Sequence, residues 1–132
     1  TGGMVSSSLI NYPGISSVFM EGCVTYSNES KIIRLGVKKE TLDKYGAVSE
    51  QTAKEMAIGI AKNFNTNIGL STTGIAGPEG GTKDKPVGLV YMGIYINGNT
   101  IVKKYEFKGS RQEIREKATK TLLNDLRLEL LN

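Results

Sequence analysis

The chain has no histidine in its 132 residues. That removes the usual base near neutral pH and every metal site built on imidazole. It has a single cysteine, Cys23, so no disulfide can close within the chain and a zinc site lacks its common ligands. A lone thiol suits a reducing cytoplasm, and Cys23 reads first as a small buried hydrophobe. No apolar run approaches the roughly 18 residues that a membrane span needs. No basic-then-apolar leader opens the chain. No G-x-x-x-x-G-K-[ST] loop and no dinucleotide fingerprint occur. Any catalysis must therefore rest on Lys, Tyr or a carboxylate as base, with a hydroxyl or water as nucleophile.

The composition is that of an ordinary soluble domain, 39% hydrophobic and 23% charged. We expect one domain spanning residues 1–132. The net charge of +4 suits an anionic small molecule and non-specific nucleic-acid binding alike. The basic residues Lys103, Lys104, Arg115, Lys117 and Lys120 read as solvated faces. None alternates with exposed aromatics as in an RNA-reading sheet, which weighs against nucleic acid.

Local patterns predict an α/β domain. After Thr1-Gly2-Gly3, Met4, Val5, Ser8 and Leu9 keep a helical spacing that Tyr12-Pro13-Gly14 ends. Residues Ser16 to Ser27 read as a strand, with Phe19 and Tyr26 favouring extended backbone. Asn28 is placed to cap a short helix closed by Gly36, and a second short helix ends at Gly46. Ser49 caps a longer helix whose Ala53, Met56, Ala57, Ile60, Ala61 and Phe64 form one apolar stripe. Asn67 to Thr73, Val87 to Ile96 and Thr100 to Phe107 read as strands. Asn97-Gly98 marks a hairpin between the last two. Ser110-Arg111-Gln112-Glu113 is a capping box opening a long helix with Ile114, Ala118, Leu122, Leu126 and Leu130 on one face. This order predicts a mixed sheet with helices on both faces. A parallel sheet normally begins with a strand, and none precedes the first helix.

Two strand ends carry chemistry-bearing residues, where ligands gather in such sheets. The first is Thr25-Tyr26-Ser27-Asn28-Glu29-Ser30-Lys31. Lys31 sits in the first turn of its helix, where the dipole disfavours a cation. Burial there would lower its pKa towards that of a base. Tyr26 is close enough in sequence to share a proton with it. The plain alternative is a solvated lysine above a packed tyrosine. The second strand end is the glycine-rich stretch STTGIAGPEGGTKDKPVG, residues 71–88. Its backbone N–H groups suit an anion nest, unless it is merely a flexible loop. Lys83 and Lys85 within it read as solvated. Arg111 opens the last helix and either holds an anion such as a phosphate or is a surface arginine.

Taken in order, TGG, YPGISSVFMEGCVTYSNESK, LGV, YGAVSE, TGIAGPEGG, KPVG and G-S-R-x-x-I-R-x-x-A resemble the C-terminal domain of the CinA (competence/damage-inducible) family over nearly the whole chain. The resemblance implies a three-layer α/β/α sandwich with a mixed central sheet, commonly oligomeric. It implies a metal-free, cofactor-free amidohydrolase that converts nicotinamide mononucleotide to nicotinic acid mononucleotide and ammonia. It makes Lys31 and Tyr26 catalytic, and Thr73 and Arg111 polar groups of the active site. Ser27 and Asn28 line the same pocket by adjacency. Thr1, Gly2 and Gly3 of TGG, and Gly74, Ala76 and Gly77 of TGIAGP, fall to substrate binding, with Gly2, Gly3 or Gly74 as oxyanion donors. Family members usually carry A-E-S-C before TGG, with the Ser as nucleophile. This chain is accordingly expected to lack that nucleophile and the first helix and strand of the sheet. Ser6, Ser7 and Ser8 do not match the motif. The family domain also occurs at the end of longer chains whose N-terminal part resembles molybdopterin-binding proteins. A non-catalytic pyridine-nucleotide-binding or regulatory module is the competing expectation.

Overall fold

The computed structural model describes residues 1–132. Its elements are α1 (Met4–Leu9), a 3-10 turn at Ile15–Ser17, α2 (Asn28–Leu35), α3 (Lys39–Tyr45), α4 (Glu50–Asn63), β1 (Ile68–Gly74), β2 (Leu89–Ile96), β3 (Asn99–Glu106) and α5 (Arg111–Leu131). The helix ends follow from their caps. Ser49 Oγ accepts the Thr52 N–H at the head of α4. At α5 both halves of the capping box form, Ser110 and Glu113 each accepting the other's backbone N–H. For α2 the cap is Ser27 rather than the expected Asn28, which becomes the first helical residue. Either side chain can cap, and the chain turns one residue earlier.

The three strands form one antiparallel sheet in the order β1-β2-β3. Asn97 and Gly98 both take positive φ, 47° and 93°, as the tight hairpin between β2 and β3 requires. Alternation along β2 divides its residues between two faces. Val90, Met92 and Ile94 pack against Ile114, Ala118 and Leu122 of α5. Gly93 faces α4, where a Cβ would lie 2.5 Å from the Ala53 carbonyl oxygen, so only glycine lets the helix seat this closely. Ser71 of β1 secures the same contact by donating to that carbonyl at 2.6 Å. With α4 on one face and α5 on the other, the architecture is the three-layer α/β/α sandwich that the resemblance implies. A second cluster of Leu35, Val37, Leu42 and Met56 joins α2 and α3 to α4.

The expected strand at 16–27 does not form as one. Residues 15–17 make the 3-10 turn, and no backbone N–H from Met20 to Tyr26 donates within the main chain. The pattern that suggested a strand is nevertheless real. Val18, Met20, Gly22, Val24 and Tyr26 are exposed, while Phe19, Glu21, Cys23 and Thr25 turn inward. Alternation selects extended backbone, but a ladder also needs a neighbouring strand. A cavity of about 1090 Å³, lined both by this segment and by β1, lies where one would be. The sheet seen here is therefore antiparallel rather than mixed. Two predicted apolar stripes also end early, because the helices outrun the sheet. Phe64 after α4 is 52% exposed and Leu130 of α5 is 53% exposed. No helix is long and apolar enough to cross a membrane.

Candidate functional site

Ten of the twelve residues expected at the site line the large cavity: Thr1, Gly2, Gly3, Tyr26, Lys31, Thr73, Gly74, Ala76, Gly77 and Arg111. Ser27 and Asn28 do not. The Ser27 hydroxyl is occupied as the α2 cap, accepting from the Ser30 N–H at 3.0 Å, and Asn28 is exposed at the start of that helix.

Lys31 is the most unusual side chain in the molecule. It is only 6% exposed. Its Nζ donates to the Thr25 carbonyl at 2.8 Å and reaches the Tyr26 carbonyl at 3.5 Å. It takes part in none of the ion pairs, which join Lys39 to Asp43 and Lys103 to Asp125 and Glu129. The two carbonyls offset part of the cost of leaving water, but no carboxylate neutralises the charge. Burial accordingly pushes its pKa below the ordinary lysine value.

Tyr26 does not share a proton with Lys31 directly. Its backbone carbonyl faces Lys31, but its hydroxyl meets Arg111, whose Nη2 donates to it at 3.4 Å. Arg111 Nη1 donates to the Gly77 carbonyl at 2.8 Å. One guanidinium thus ties the glycine-rich loop to the strand-like segment across the cavity. Arg111 is exposed, but both arms of its guanidinium are engaged.

The loop between β1 and β2 is not a slack connection either. The Ile75 N–H donates to the Leu89 carbonyl and the Gly88 N–H to the Ile75 carbonyl, which continues the hairpin beyond the strands. Gly77 takes φ 79°, and a Cβ there would lie 2.4 Å from Val87 Cγ1, so glycine is dictated by backbone shape and packing together. Lys85 is not simply solvated, since its Nζ donates to the Tyr45 carbonyl at 2.6 Å and pins the loop to the end of α3. Thr73 is buried on the α4 side of β1, and its hydroxyl donates to the Ala47 carbonyl at 2.7 Å. That bond couples the strand end to the turn between α3 and α4.

Arg115 was assigned to a solvated face, and the structure overturns this. It is half-buried, lines the cavity, and donates from Nε and Nη2 to the Thr1 carbonyl at 3.2 and 3.1 Å. The available signal was its spacing: it lies four residues after Arg111, on the same face of α5. Arg111, Arg115 and Lys31 line the cavity together with Thr1. Glu21 and Glu79 are the only carboxylates in the cavity lining. Cys23 also lines it, but burial first and then Glu21 push its thiol up, which keeps it neutral and poorly nucleophilic. No cluster of His, Cys, Asp or Glu could hold a metal ion. The arrangement offers a depressed lysine, two guanidiniums and a rigid glycine-rich wall facing one cavity.

Known proteins share this sequence and fold. Residues 1–130 match the family model described as the CinA C-terminal domain. A competence-damage inducible protein of Clostridioides difficile is 72% identical over 130 residues, covering 98% of this chain and 31% of that protein. One from Alkaliphilus oremlandii is 64% identical, covering 100% of this chain and 32% of its own length. The chain thus spans about a third of the curated relatives it matches. Among solved structures, competence/damage inducible protein CihA of Agrobacterium tumefaciens aligns with a TM-score of 0.93 at 41% identity, covering 96% of this chain and 78% of that one. Competence damage-inducible protein A (ComA) of Klebsiella pneumoniae aligns with a TM-score of 0.95 at 33% identity, covering 99% and 81%. With the fold, the ordered motifs and the family match in agreement, the chain belongs to the CinA C-terminal domain family.

Proposed function

We propose that this domain forms the active site of an amidohydrolase acting on nicotinamide mononucleotide, in a polypeptide that supplies a serine ahead of Thr1. The observation that carries this reading is Lys31: buried, without a carboxylate partner, depressed in pKa, and lining the same cavity as Arg111 and the glycine-rich loop. A lysine whose pKa burial lowers gives up its proton more readily than an ordinary lysine, which is what a general base requires. It takes the proton of the attacking hydroxyl as the oxygen adds to the amide carbon. It then returns that proton to the leaving nitrogen, so that ammonia departs and an ester to the serine remains. Water, deprotonated by the same amine, adds to the ester, and the amine returns the proton to the departing serine oxygen, which frees the acid and restores the serine. The negative charge on the tetrahedral oxygen needs fixed N–H donors. The backbone of Gly2 and Gly3 suits that role, since neither N–H has an acceptor among residues 1–132. The remaining N–H groups of Arg111 suit a phosphate.

The test is ammonia release from nicotinamide mononucleotide. It is run on this chain and on one extended upstream through the serine-bearing segment. Release by the extended chain supports the reading. Tight binding of the mononucleotide by that chain with no ammonia would replace it with a binding module. Arg111→Lys separates the roles further. A single ammonium cannot span Gly77 and Tyr26 and still grip a phosphate bidentately. We expect KM for the mononucleotide to rise roughly tenfold, the size of one charge-assisted hydrogen bond. Steady-state kinetics on the variant measures it.

A further inference from the structure

Arg111 and Arg115 stand one turn apart on α5 and grip different parts of the chain. The first holds the Gly77 carbonyl and the Tyr26 hydroxyl, the second the Thr1 carbonyl. The remaining arm of Arg115, Nη1, donates to Gln112 Oε1 at 3.0 Å, so the fork is fixed on both sides. Among residues 1–132, the other main-chain bond to residues 1–3 is the Gly3 carbonyl accepting from the Ser7 N–H in the first turn of α1, and the Gly2 and Gly3 N–H groups find no acceptor there. Helix α1 is six residues long and buries none of them, so it is a weak anchor. A Cβ on Gly2 would lie 3.2 Å from Arg115 Nη2, so the guanidinium occupies the space a side chain there would need.

We propose that Arg115 is a positioning residue, one that fixes the main chain of Thr1–Gly3, and with it the two unpaired N–H donors, relative to Lys31 and the glycine-rich loop. It acts through the backbone and touches no substrate. The catalytic half of this inference rests on the amidohydrolase reading; the clamp itself does not.

The experiment has two arms. In the first, amide hydrogen exchange compares this chain with its Arg115→Ala variant. Loss of the paired charge-assisted bonds should speed exchange at the hydrogen-bonded amides Ser7–Ile10 roughly tenfold, while β2 and the middle of α5 keep their protection. Unchanged exchange at Ser7–Ile10 overturns the clamp. In the second, the same variant is assayed in the chain extended upstream through the serine. Misplaced donors should lower kcat by up to about 10²-fold, with KM nearly unchanged and the pH profile still set by Lys31. Added guanidinium ion should recover part of the loss, and Arg115→Lys should fall between the two. An unchanged kcat, or a rise in KM alone, overturns the positioning role. A silent wild-type extended chain sinks the amidohydrolase reading and the catalytic half with it, while the exchange arm still decides the clamp. If Arg115→Ala fails to fold, Arg115→Lys carries both comparisons with smaller changes.

Discussion

Replacing Lys31 with methionine in the chain that carries the upstream serine is expected to lower kcat for ammonia release by about 10²–10⁴-fold, the contribution of a positioned general base. Methionine preserves most of the side-chain volume, so the packing around α2 is retained. The same substitution has a second consequence, which can be measured on this chain alone. Because burial lowers the folded-state pKa of Lys31, the unfolded chain binds more protons between that lowered value and the ordinary lysine pKa of about 10.4. Wild-type stability must therefore rise with pH across that window. Below it the cost of the buried charge is fully present, and above it the cost is gone. Lys31→Met removes this dependence. Chemical denaturation of both proteins across the window should show the difference in stability moving towards wild type as pH climbs. A constant difference would mean that Lys31 is solvated in the folded chain, and would remove the main support for its role as base.

The largest expected loss of stability is at Leu122. Its side chain is fully buried in the cluster that joins α5 to Val90, Met92 and Ile94 of β2. Leu122→Ala deletes buried methyl groups where both the strand and the helix resist collapse. The expected cost is about 2–5 kcal/mol. That is a large part of the total stability of a domain this size, about 5–15 kcal/mol. Urea unfolding should show the midpoint falling with the slope unchanged, because the surface exposed on unfolding is nearly the same. Arg111 and Arg115 extend from the same helix, so any population with α5 undocked also loses its grip on Gly77 and Thr1. Ammonia release by the extended chain should then decline at lower temperature than in the wild type.

The sequence carried a good deal of this. Capping residues, the Asn97-Gly98 turn and the apolar face of α5 are local signals, and each names its own element. Lys31 was legible for the same reason, as a cation in the first part of a helix. What could not be read depended on partners distant in sequence. The segment from Val18 to Tyr26 alternates as a strand does, but nothing local reveals whether a second strand lies beside it. Arg115 looked solvated because its acceptor, the Thr1 carbonyl, is 114 residues away. Thr73 reads as a polar group of the active site, and its acceptor, the Ala47 carbonyl in the turn between α3 and α4, is not foreseen. Gly93 gave no sign at all, since the reason for it is the backbone of α4 pressed against the sheet.

The two arginine grips also set an order of events during synthesis. A ribosome releases Thr1–Gly3 and Lys31 before the glycine-rich loop, and Arg111 and Arg115 after it. Domains fold as units as the chain emerges, N-terminal parts first. Until α5 leaves the exit tunnel and docks, nothing joins Thr1 to Gly77, and the cavity has neither guanidinium. A nascent or prematurely terminated chain therefore holds its lysine with no site around it. The site becomes complete only once α5 has been made and has docked.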